Sequence, residues 1–223
     1  KNIVVEMLWF LSGKPDIGIL HNHKCKFWDA WAESGEVPSA YGNFWRHFPV
    51  KGQMLSHSFD YEVSYNDQIK FVIDELKRNP MSRRLVVSAW APGNAQTSKL
   101  PPCHCMFIFN VQLDENGKQM LCCHLTQRSC DIALGVPYNI ASYALLIHII
   151  SEIVGIPVGI FAHTLVDAHI YTKKADGSMA EYDHIPGLLQ QISRTPFPLP
   201  RLKIVQPAFD EGMWTLEEFT KLA

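Results

Sequence analysis

Cys103 is the residue whose type and position point most directly to chemistry. It follows Pro101 and Pro102 and precedes His104, so it opens a predicted strand at a rigid corner, where a side chain can face a cavity. A cysteine attacks as the thiolate, and nearby guanidinium groups favour that form. Because cysteines are most often buried as small apolar side chains, packing is the commoner role for such a residue taken alone.

Metal binding is an alternative role for Cys103 and the cysteines near it. Cysteine and histidine recur on two neighbouring predicted strands, as Cys103, His104, Cys105 and as Cys122, Cys123, His124. Strand alternation puts Cys103 and Cys105 on one face and His104 on the other, and the C-x₂₋₄-C spacing of zinc knuckles is absent. The Pro-Cys-x-x-Cys signature of zinc deaminases is absent too, so the sequence predicts no metal.

Other polar residues could hold a nucleotide. Guanidinium forks suit a phosphate dianion, although solvated surface arginines are commoner, and three candidates flank the strands: Arg83, Arg84 and Arg128. Asn139, near the start of a predicted helix, either caps it or pairs with O4 and N3–H of a uracil ring. His169 and Tyr171 share a strand face and could reach a sugar hydroxyl or fill the core. Trp28 and Trp31 could stack on a flat cofactor, or pack in the core.

The composition is that of an ordinary globular chain. It has 223 residues, of which 47% are hydrophobic and 19% charged. The net charge of −2 provides no overall positive field toward a nucleic-acid backbone, so no nucleic-acid partner is expected. The six cysteines are mostly crowded mid-chain, which favours a reducing cytoplasm over a disulfide framework. Polar residues interrupt the most apolar stretch, 139–155, and predict that it does not span a membrane.

Hydrophobic spacing predicts the elements that must position these residues. The predicted helices cover 3–11, 16–23, 69–76, 137–155 and 185–193, of which 137–155 is a long buried central helix. The predicted strands cover 85–90, 103–111, 120–126, 158–163, 167–171 and 201–205. The segment 35–64 reads mostly as loop. The order of elements indicates one α+β domain over 1–223, with a mainly antiparallel or mixed sheet.

The sequence resembles the thymidylate synthase family along nearly its whole length. The blocks that carry the resemblance are Glu6-Met7-Leu8-Trp9-Phe10-Leu11, Trp28-Asp29-Ala30-Trp31, Tyr41-Gly42 with Trp45-Arg46, Ser82-Arg83-Arg84, Pro101-Pro102-Cys103-His104, Gln127-Arg128-Ser129-Cys130-Asp131, Leu134-Gly135-Val136-Pro137-Tyr138-Asn139-Ile140-Ala141-Ser142-Tyr143, and His163-Thr164 with Asp167-Ala168-His169-Ile170-Tyr171. No single block decides the matter, but so many blocks in order are specific. The resemblance implies a thymidylate-synthase-like fold.

It also implies a reaction, in which a one-carbon unit passes from 5,10-methylenetetrahydrofolate to C5 of dUMP and gives dTMP and dihydrofolate. Cys103 would add to C6 of dUMP, Glu6 would relay protons through water, and Tyr41 would help remove the C5 proton. Asn139 would read uracil, so that Asn139→Asp would shift preference toward dCMP. Further dUMP positions implied are Arg83, Arg84, Gln127, Arg128, Ser129, His169 and Tyr171. The implied folate positions are Trp28, Trp31, Leu100, Asp131, Leu134, Gly135 and Tyr138, with Asp131 also counted as catalytic.

The family's homodimer implies that Arg83 and Arg84 reach the phosphate of the second subunit. The chain also departs from the family. The unusual positions are Ala91, Ile108, Asn110, Thr126 and Val166, which we expect at or near the pocket, where they would admit water. A dUMP hydroxymethylase, which would add water to give 5-hydroxymethyl-dUMP and tetrahydrofolate, is therefore the alternative. A nucleotide-binding homologue without turnover is a third. The family's N-terminal phosphate loop and C-terminal closing tail have no counterpart in the sequence, which begins inside a helical pattern.

Overall fold

A computed structural model describes residues 1–50, 64–95, 98–174, 176–178 and 182–204. The α-helices are α1 (Asn2–Ser12), α2 (Gly18–Asn22), α3 (Tyr41–Arg46), α4 (Gln68–Arg78), α5 (Pro92–Ala95), α6 (Gly135–Val154) and α7 (Ile185–Ile192). The strands are β1 (Phe48–Val50), β2 (Ser64–Asn66), β3 (Val86–Ser88), β4 (His104–Leu113), β5 (Gln119–Gln127), β6 (Cys130–Asp131), β7 (Val158–Leu165) and β8 (Ala168–His169). The predicted α+β class is confirmed.

The central sheet has the strand order β3-β4-β5-β7. β3 and β5 run antiparallel to β4, whereas β7 runs parallel to β5, so the sheet is mixed as predicted. The predicted hairpin joins β4 to β5 through a turn in which the Asp114 carboxylate accepts hydrogen bonds from the backbone N–H groups of Asn116 and Lys118. The pair β6 and β8 forms a separate two-stranded piece. Along the chain, β6 lies between β5 and α6 and β8 follows β7, and the pair carries the site residues Asp131 and His169.

The long central helix, α6, packs against α1, α4, β5, β6 and β7. Its inward side chains Leu146 and Ile150 have no exposed surface. Among the helices that the structure describes, α6 alone is long and apolar enough to cross a membrane by length and composition. The prediction that its polar residues exclude a membrane span by composition is therefore wrong. A core helix meets the same test, and packing of α6 against these five elements accounts for its apolar sequence.

Two predictions about irregular segments need correction. The segment 35–64 was expected to be mostly loop, yet it contains α3 and β1; residues 51–63 lie outside the described part. Proline and glycine suggested a loop, but buried Phe44 and Trp45 fold α3 onto the core. The predicted strand 201–205 is wrong over its described residues, 201–204, which pair with no described strand.

Candidate active site

A pocket of about 240 Å³, partly open to solvent, lies between α1, α3, the start of β4 and the start of α6. It is lined by Glu6, Phe10, Trp28, Tyr41, Leu100, Cys103, His104, Gln127, Ser129, Asp131, Gly135, Asn139, His169 and Tyr171. Cys103 and Asn139, far apart in the sequence, thus face the same space.

The corner that carries Cys103 is held from two sides. The backbone N–H of Cys103 donates to the Tyr41 hydroxyl at 2.9 Å. The Arg128 guanidinium donates to the carbonyl oxygens of Pro101 at 2.8 Å and Pro102 at 3.0 Å, and its backbone N–H bonds the Cys103 carbonyl. The guanidinium also lies over the Trp90 ring at 5.5 Å. Arg128 therefore fixes the loop before the cysteine, which presents the sulfur at a set position.

His104 lines the same pocket as Cys103, although strand alternation predicted opposite faces for the two. Cys103 precedes β4, which begins at His104, so alternation does not apply to this pair, and the β4–β5 register also shifts between His104 and Met106. The His104 ring stacks on Tyr41 at 4.5 Å between centroids, and its Nδ1 lies 3.4 Å from the Tyr143 hydroxyl. Burial lowers the pKa of His104 to about 4, so the ring is neutral near pH 7.

Glu6 projects from α1 into the pocket and accepts a hydrogen bond from Trp28 Nε1 at 2.7 Å. Burial raises the pKa of its carboxyl to about 7, although the hydrogen bond from Trp28 opposes the shift. A carboxyl group that titrates near neutral pH can both give and take a proton. Glu6 therefore has the protonation behaviour of a general acid and base.

Tyr41 is fully buried between the pocket and the aromatic core. Burial, followed by the Cys103 charge, raises the pKa of its hydroxyl well above the usual value. The phenol is therefore protonated at neutral pH, and it takes part in the site as a hydrogen-bonding group. Removal of a proton by Tyr41 would need a relay that passes the proton on.

Two amide side chains meet on the opposite wall. Gln127 Nε2 donates to Asn139 Oδ1 at 3.0 Å and to the Ser129 carbonyl oxygen at 2.9 Å. Gln127 is 3% exposed, which shields both bonds from water. Since Oδ1 of Asn139 accepts from Gln127, the amide of Asn139 has a fixed direction in the pocket.

His169 and Tyr171 lie together at the β8 end of the pocket, with ring centroids 5.1 Å apart.

Asp131 holds the loop at the start of α6. Its carboxylate accepts hydrogen bonds from the backbone N–H groups of residues 133, 134 and 135, at 3.1, 3.3 and 3.2 Å. It therefore satisfies the free N–H groups at the start of α6 and fixes the loop that bears Gly135.

Several predicted site residues do not line this pocket: Arg83, Arg84, Arg128, Trp31, Leu134 and Tyr138. Arg83 and Arg84 are exposed at the surface between α4 and β3. Trp31 lines a neighbouring cavity with Lys99 and Ser98. Tyr138 packs edge-on against Phe27 and is 39% exposed. Conversely, the pocket includes Phe10 and His104, which were not assigned to it from the sequence.

The positions that depart from the family also lie outside the pocket lining. The residues concerned are Ala91, Ile108, Asn110, Thr126 and Val166. Thr126 sits on β5 opposite Met106 and Thr164, and Val166 is 67% exposed. None of the five is part of the described lining, but Thr126 precedes Gln127, which is, and the Val166 backbone N–H donates to the Gln127 carbonyl oxygen. These two positions are therefore near the pocket, as expected, although they do not form its wall.

Among the described residues, no group of three or more histidine, cysteine or carboxylate side chains is arranged to hold a metal ion. The described cysteines that were considered as ligands are separate: Cys123 is buried, and Cys122 Sγ accepts from the backbone N–H of Ile160.

Comparison with known proteins agrees with the geometry of the pocket. The sequence model for "Thymidylate synthase" matches residues 1–220. A thymidylate synthase of Haloferax volcanii is 38% identical over an alignment that covers 95% of this chain and 74% of that relative. One from Saccharomyces cerevisiae is 39% identical, with 98% and 74% covered. The chain belongs to the thymidylate synthase family.

Proposed function

We propose that the pocket around Cys103 carries out the reaction of this family. The chain is a one-carbon transferase that methylates dUMP to dTMP, with 5,10-methylenetetrahydrofolate as co-substrate. The observation that supports this pocket as the site is the meeting of Cys103, Glu6 and Asn139 in one cleft. The co-substrate supplies the carbon and the hydride. The residue roles that follow belong to the proposal.

Cys103 is the nucleophile. Its sulfur adds to C6 of the pyrimidine ring, which makes C5 electron-rich and able to attack the one-carbon unit. Glu6 protonates and deprotonates the groups around O4 through ordered water, in keeping with its pKa of about 7. Tyr41 and His104 remain neutral, hold the Cys103 corner and complete the hydrogen bonds around the ring.

Asn139 identifies the base. Its Nδ2 donates to O4 of uracil and its Oδ1 accepts from N3–H, whereas cytosine presents the reverse pattern of donor and acceptor. Gln127 and Ser129 lie beside it, and His169 and Tyr171 face the sugar. These neutral groups select dUMP by hydrogen bonding, and a buried group left without its partner rejects the wrong base.

The phosphate of dUMP requires positive charge that the described pocket lining does not contain. We infer that Arg128 turns from the Pro101 and Pro102 carbonyl oxygens toward the phosphate when dUMP binds. Arg83 and Arg84 come from the partner in a homodimer, since they are exposed and absent from the lining of their own pocket. Three guanidinium groups would balance the dianion.

The folate lies beside the nucleotide, against the apolar wall formed by Trp28 and Leu100. An indole and an aliphatic side chain suit the flat pteridine ring, so the lining fits this co-substrate. Asp131 and Gly135 form the floor next to it, while Trp31, Leu134 and Tyr138 are exposed around the mouth and contact the more distant part of the molecule. The chain 1–223 acts as one catalytic domain in the cytoplasm.

Product analysis tests the proposed reaction. With dUMP and 5,10-methylenetetrahydrofolate, the absorbance of dihydrofolate increases in step with dTMP formation. A Cys103→Ser variant loses the activity, and Cys105→Ser serves as the control because the Cys105 side chain does not line the pocket. Formation of 5-hydroxymethyl-dUMP without dihydrofolate would instead identify a hydroxymethylase, which the thymidylate synthase relatives do not favour. Undiminished turnover by Cys103→Ser would refute the nucleophile.

A further inference from the structure

His163 lies behind the amide wall and is not itself part of the pocket lining. It is on β7, beside β5, where it aligns with Leu125. Its Nε2 lies 3.0 Å from Gln127 Oε1. Its ring packs against Phe161 with centroids 5.5 Å apart, which limits the directions in which Nε2 can point. The established parts of the site give this residue no role.

The direction of each hydrogen bond in this wall follows from one backbone oxygen. The Ser129 carbonyl oxygen can only accept, so the NH₂ end of Gln127 must face it, and that same NH₂ group donates to Asn139 Oδ1. Gln127 Oε1 is then directed at His163, and His163 Nε2 must carry the hydrogen. Burial lowers the pKa of His163, which favours the neutral ring with its one hydrogen on Nε2. Consistent with that tautomer, its buried Nδ1 has no hydrogen-bond partner among the described residues.

We propose that His163 is a positioning residue for recognition of the base. Its Nε2–H holds the Gln127 amide, and Gln127 in turn holds the Asn139 amide in the orientation that accepts uracil and rejects cytosine. Reversal of the Asn139 amide would present its oxygen to the amino group of cytosine and its NH₂ to cytosine N3. Discrimination between the two bases therefore depends on the direction of the whole chain from His163 to Asn139. This inference rests on the proposed role of Asn139 in reading the base.

Removal of the His163 donor leaves Gln127 Oε1 as a buried acceptor without a partner. Rotation of the Gln127 amide toward another donor then becomes more favourable, and this rotation weakens the hydrogen bond from Gln127 to Asn139. The effect should fall on recognition of the base more than on the chemistry of Cys103. We therefore expect the KM for dUMP to rise while kcat changes little.

The measurement is the ratio of kcat/KM for dUMP to kcat/KM for dCMP. His163→Met removes the donor and His163→Gln restores an N–H at a similar reach, with nearly the same side-chain shape. We expect the Met variant to lower the ratio about tenfold, the factor that one buried hydrogen bond supports, and the Gln variant to stay within about twofold. His124→Phe is the matched control, because His124 contacts Thr164 on the same strands and does not contact Gln127.

Equal ratios in the Met variant and the parent would overturn the inference, as would an equal fall in the Met and Gln variants. If His163→Met does not fold, ¹⁵N spectra of the unsubstituted protein decide instead. They are expected to show a neutral His163 with hydrogen on Nε2; hydrogen on Nδ1 alone would contradict the proposal. Asn139→Asp separates the two levels of the argument. If the dUMP/dCMP ratio of kcat/KM is unchanged in Asn139→Asp, the proposed reading of uracil by Asn139 is refuted. If the ratio changes in Asn139→Asp but not in His163→Met, only the role of His163 is refuted.

Discussion

Burial shifts the pKa values of the titratable side chains around Cys103 toward their neutral forms. The pKa of Glu6 is raised to about 7 and that of His104 lowered to about 4, and burial also raises the pKa of the Tyr41 hydroxyl. In such a pocket, hydrogen bonds with fixed direction discriminate better than charge does. The proposed nucleophile, Cys103, and the proposed proton-transfer group, Glu6, therefore have mostly uncharged neighbours.

Glu6→Gln should change the pH dependence of stability. The folded-state pKa of Glu6 lies above its ordinary value of 4.5, so the folded protein holds an extra proton between pH 4.5 and about 7. The parent consequently loses stability as pH rises through that window, by at most about 3 kcal/mol, and the neutral Gln variant is spared this loss. Urea unfolding at pH 4 and pH 8 measures it.

At pH 4 the two proteins should differ little on this account, because both carry a neutral side chain at position 6. A constant difference in unfolding free energy at the two pH values would contradict the raised pKa. Turnover of dUMP provides the second readout: Glu6→Gln should lose activity by about 10²-fold, the contribution typical of one acid–base group.

The presence of Cys103, Gln127 and Asn139 in the pocket could be predicted from the sequence, because each residue is part of a specific motif. The place of His104 in the pocket could not, because alternation was applied to a strand that includes Cys103, whereas β4 begins at His104 and its register shifts directly after it. Phe10 looked like an ordinary core residue of α1. It is indeed 3% exposed, and only the shape of the cleft reveals that it reaches the pocket as well.

The contact of α1 with α3 sets the relation between Glu6 and Tyr41. Gly42, the second residue of α3, lies so close to α1 that a Cβ there would meet the Phe10 carbonyl oxygen at 2.1 Å. Such close approach is possible only without a side chain. The glycine next to Tyr41 thus allows the hydroxyl of Tyr41 to reach the Cys103 backbone N–H.

Gly42→Ala should therefore destabilise the protein by about 2 kcal/mol or more, because the obstacle is backbone and cannot rotate away. Activity should fall with it, since α3 carries Tyr41. Gly187→Ala is the control: Gly187 lies within α7 with no atom in the way of a Cβ, so its replacement should be neutral or stabilise by up to about 1 kcal/mol. Equal thermal midpoints for Gly42→Ala and the parent would show that the contact is not tight.

Periodicity predicted the elements with strong apolar patterns, namely α1, α4, α6 and the strands β4, β5 and β7. It missed α3, a helix of six residues, because so short a segment contains less than two turns of pattern and is stabilised by burial of Phe44 and Trp45 against other elements. The pairing of β6 with β8 joins residues that are distant in the sequence, and no local pattern announces it.

The proposed active site includes residues of two subunits. Arg83 and Arg84 are exposed beside β3, and the described pocket of the same chain has no guanidinium in its lining. A surface pair of arginines is ordinary by itself. The pair contributes to phosphate binding only if the pocket of a partner subunit lies next to it.

A mixture of two inactive variants tests this arrangement. Cys103→Ser lacks the nucleophile and Arg84→Ala weakens the phosphate site, but a mixed dimer contains one pocket with both groups intact. After exchange of subunits, the mixture should regain roughly a quarter of the parent's activity, since half of the dimers are mixed and each has one intact pocket. Recovery of nothing, together with elution of each variant as a monomer, would contradict the shared site.

The most direct test concerns the bond between Cys103 and the pyrimidine ring. Incubation with 5-fluoro-dUMP and 5,10-methylenetetrahydrofolate should trap the covalent complex, because fluorine at C5 does not leave as the proton does. Mass spectrometry after digestion is predicted to find nucleotide and folate together on Cys103, in the parent and in Cys105→Ser alike. A label on another cysteine, or a label that persists in Cys103→Ser, would contradict the account.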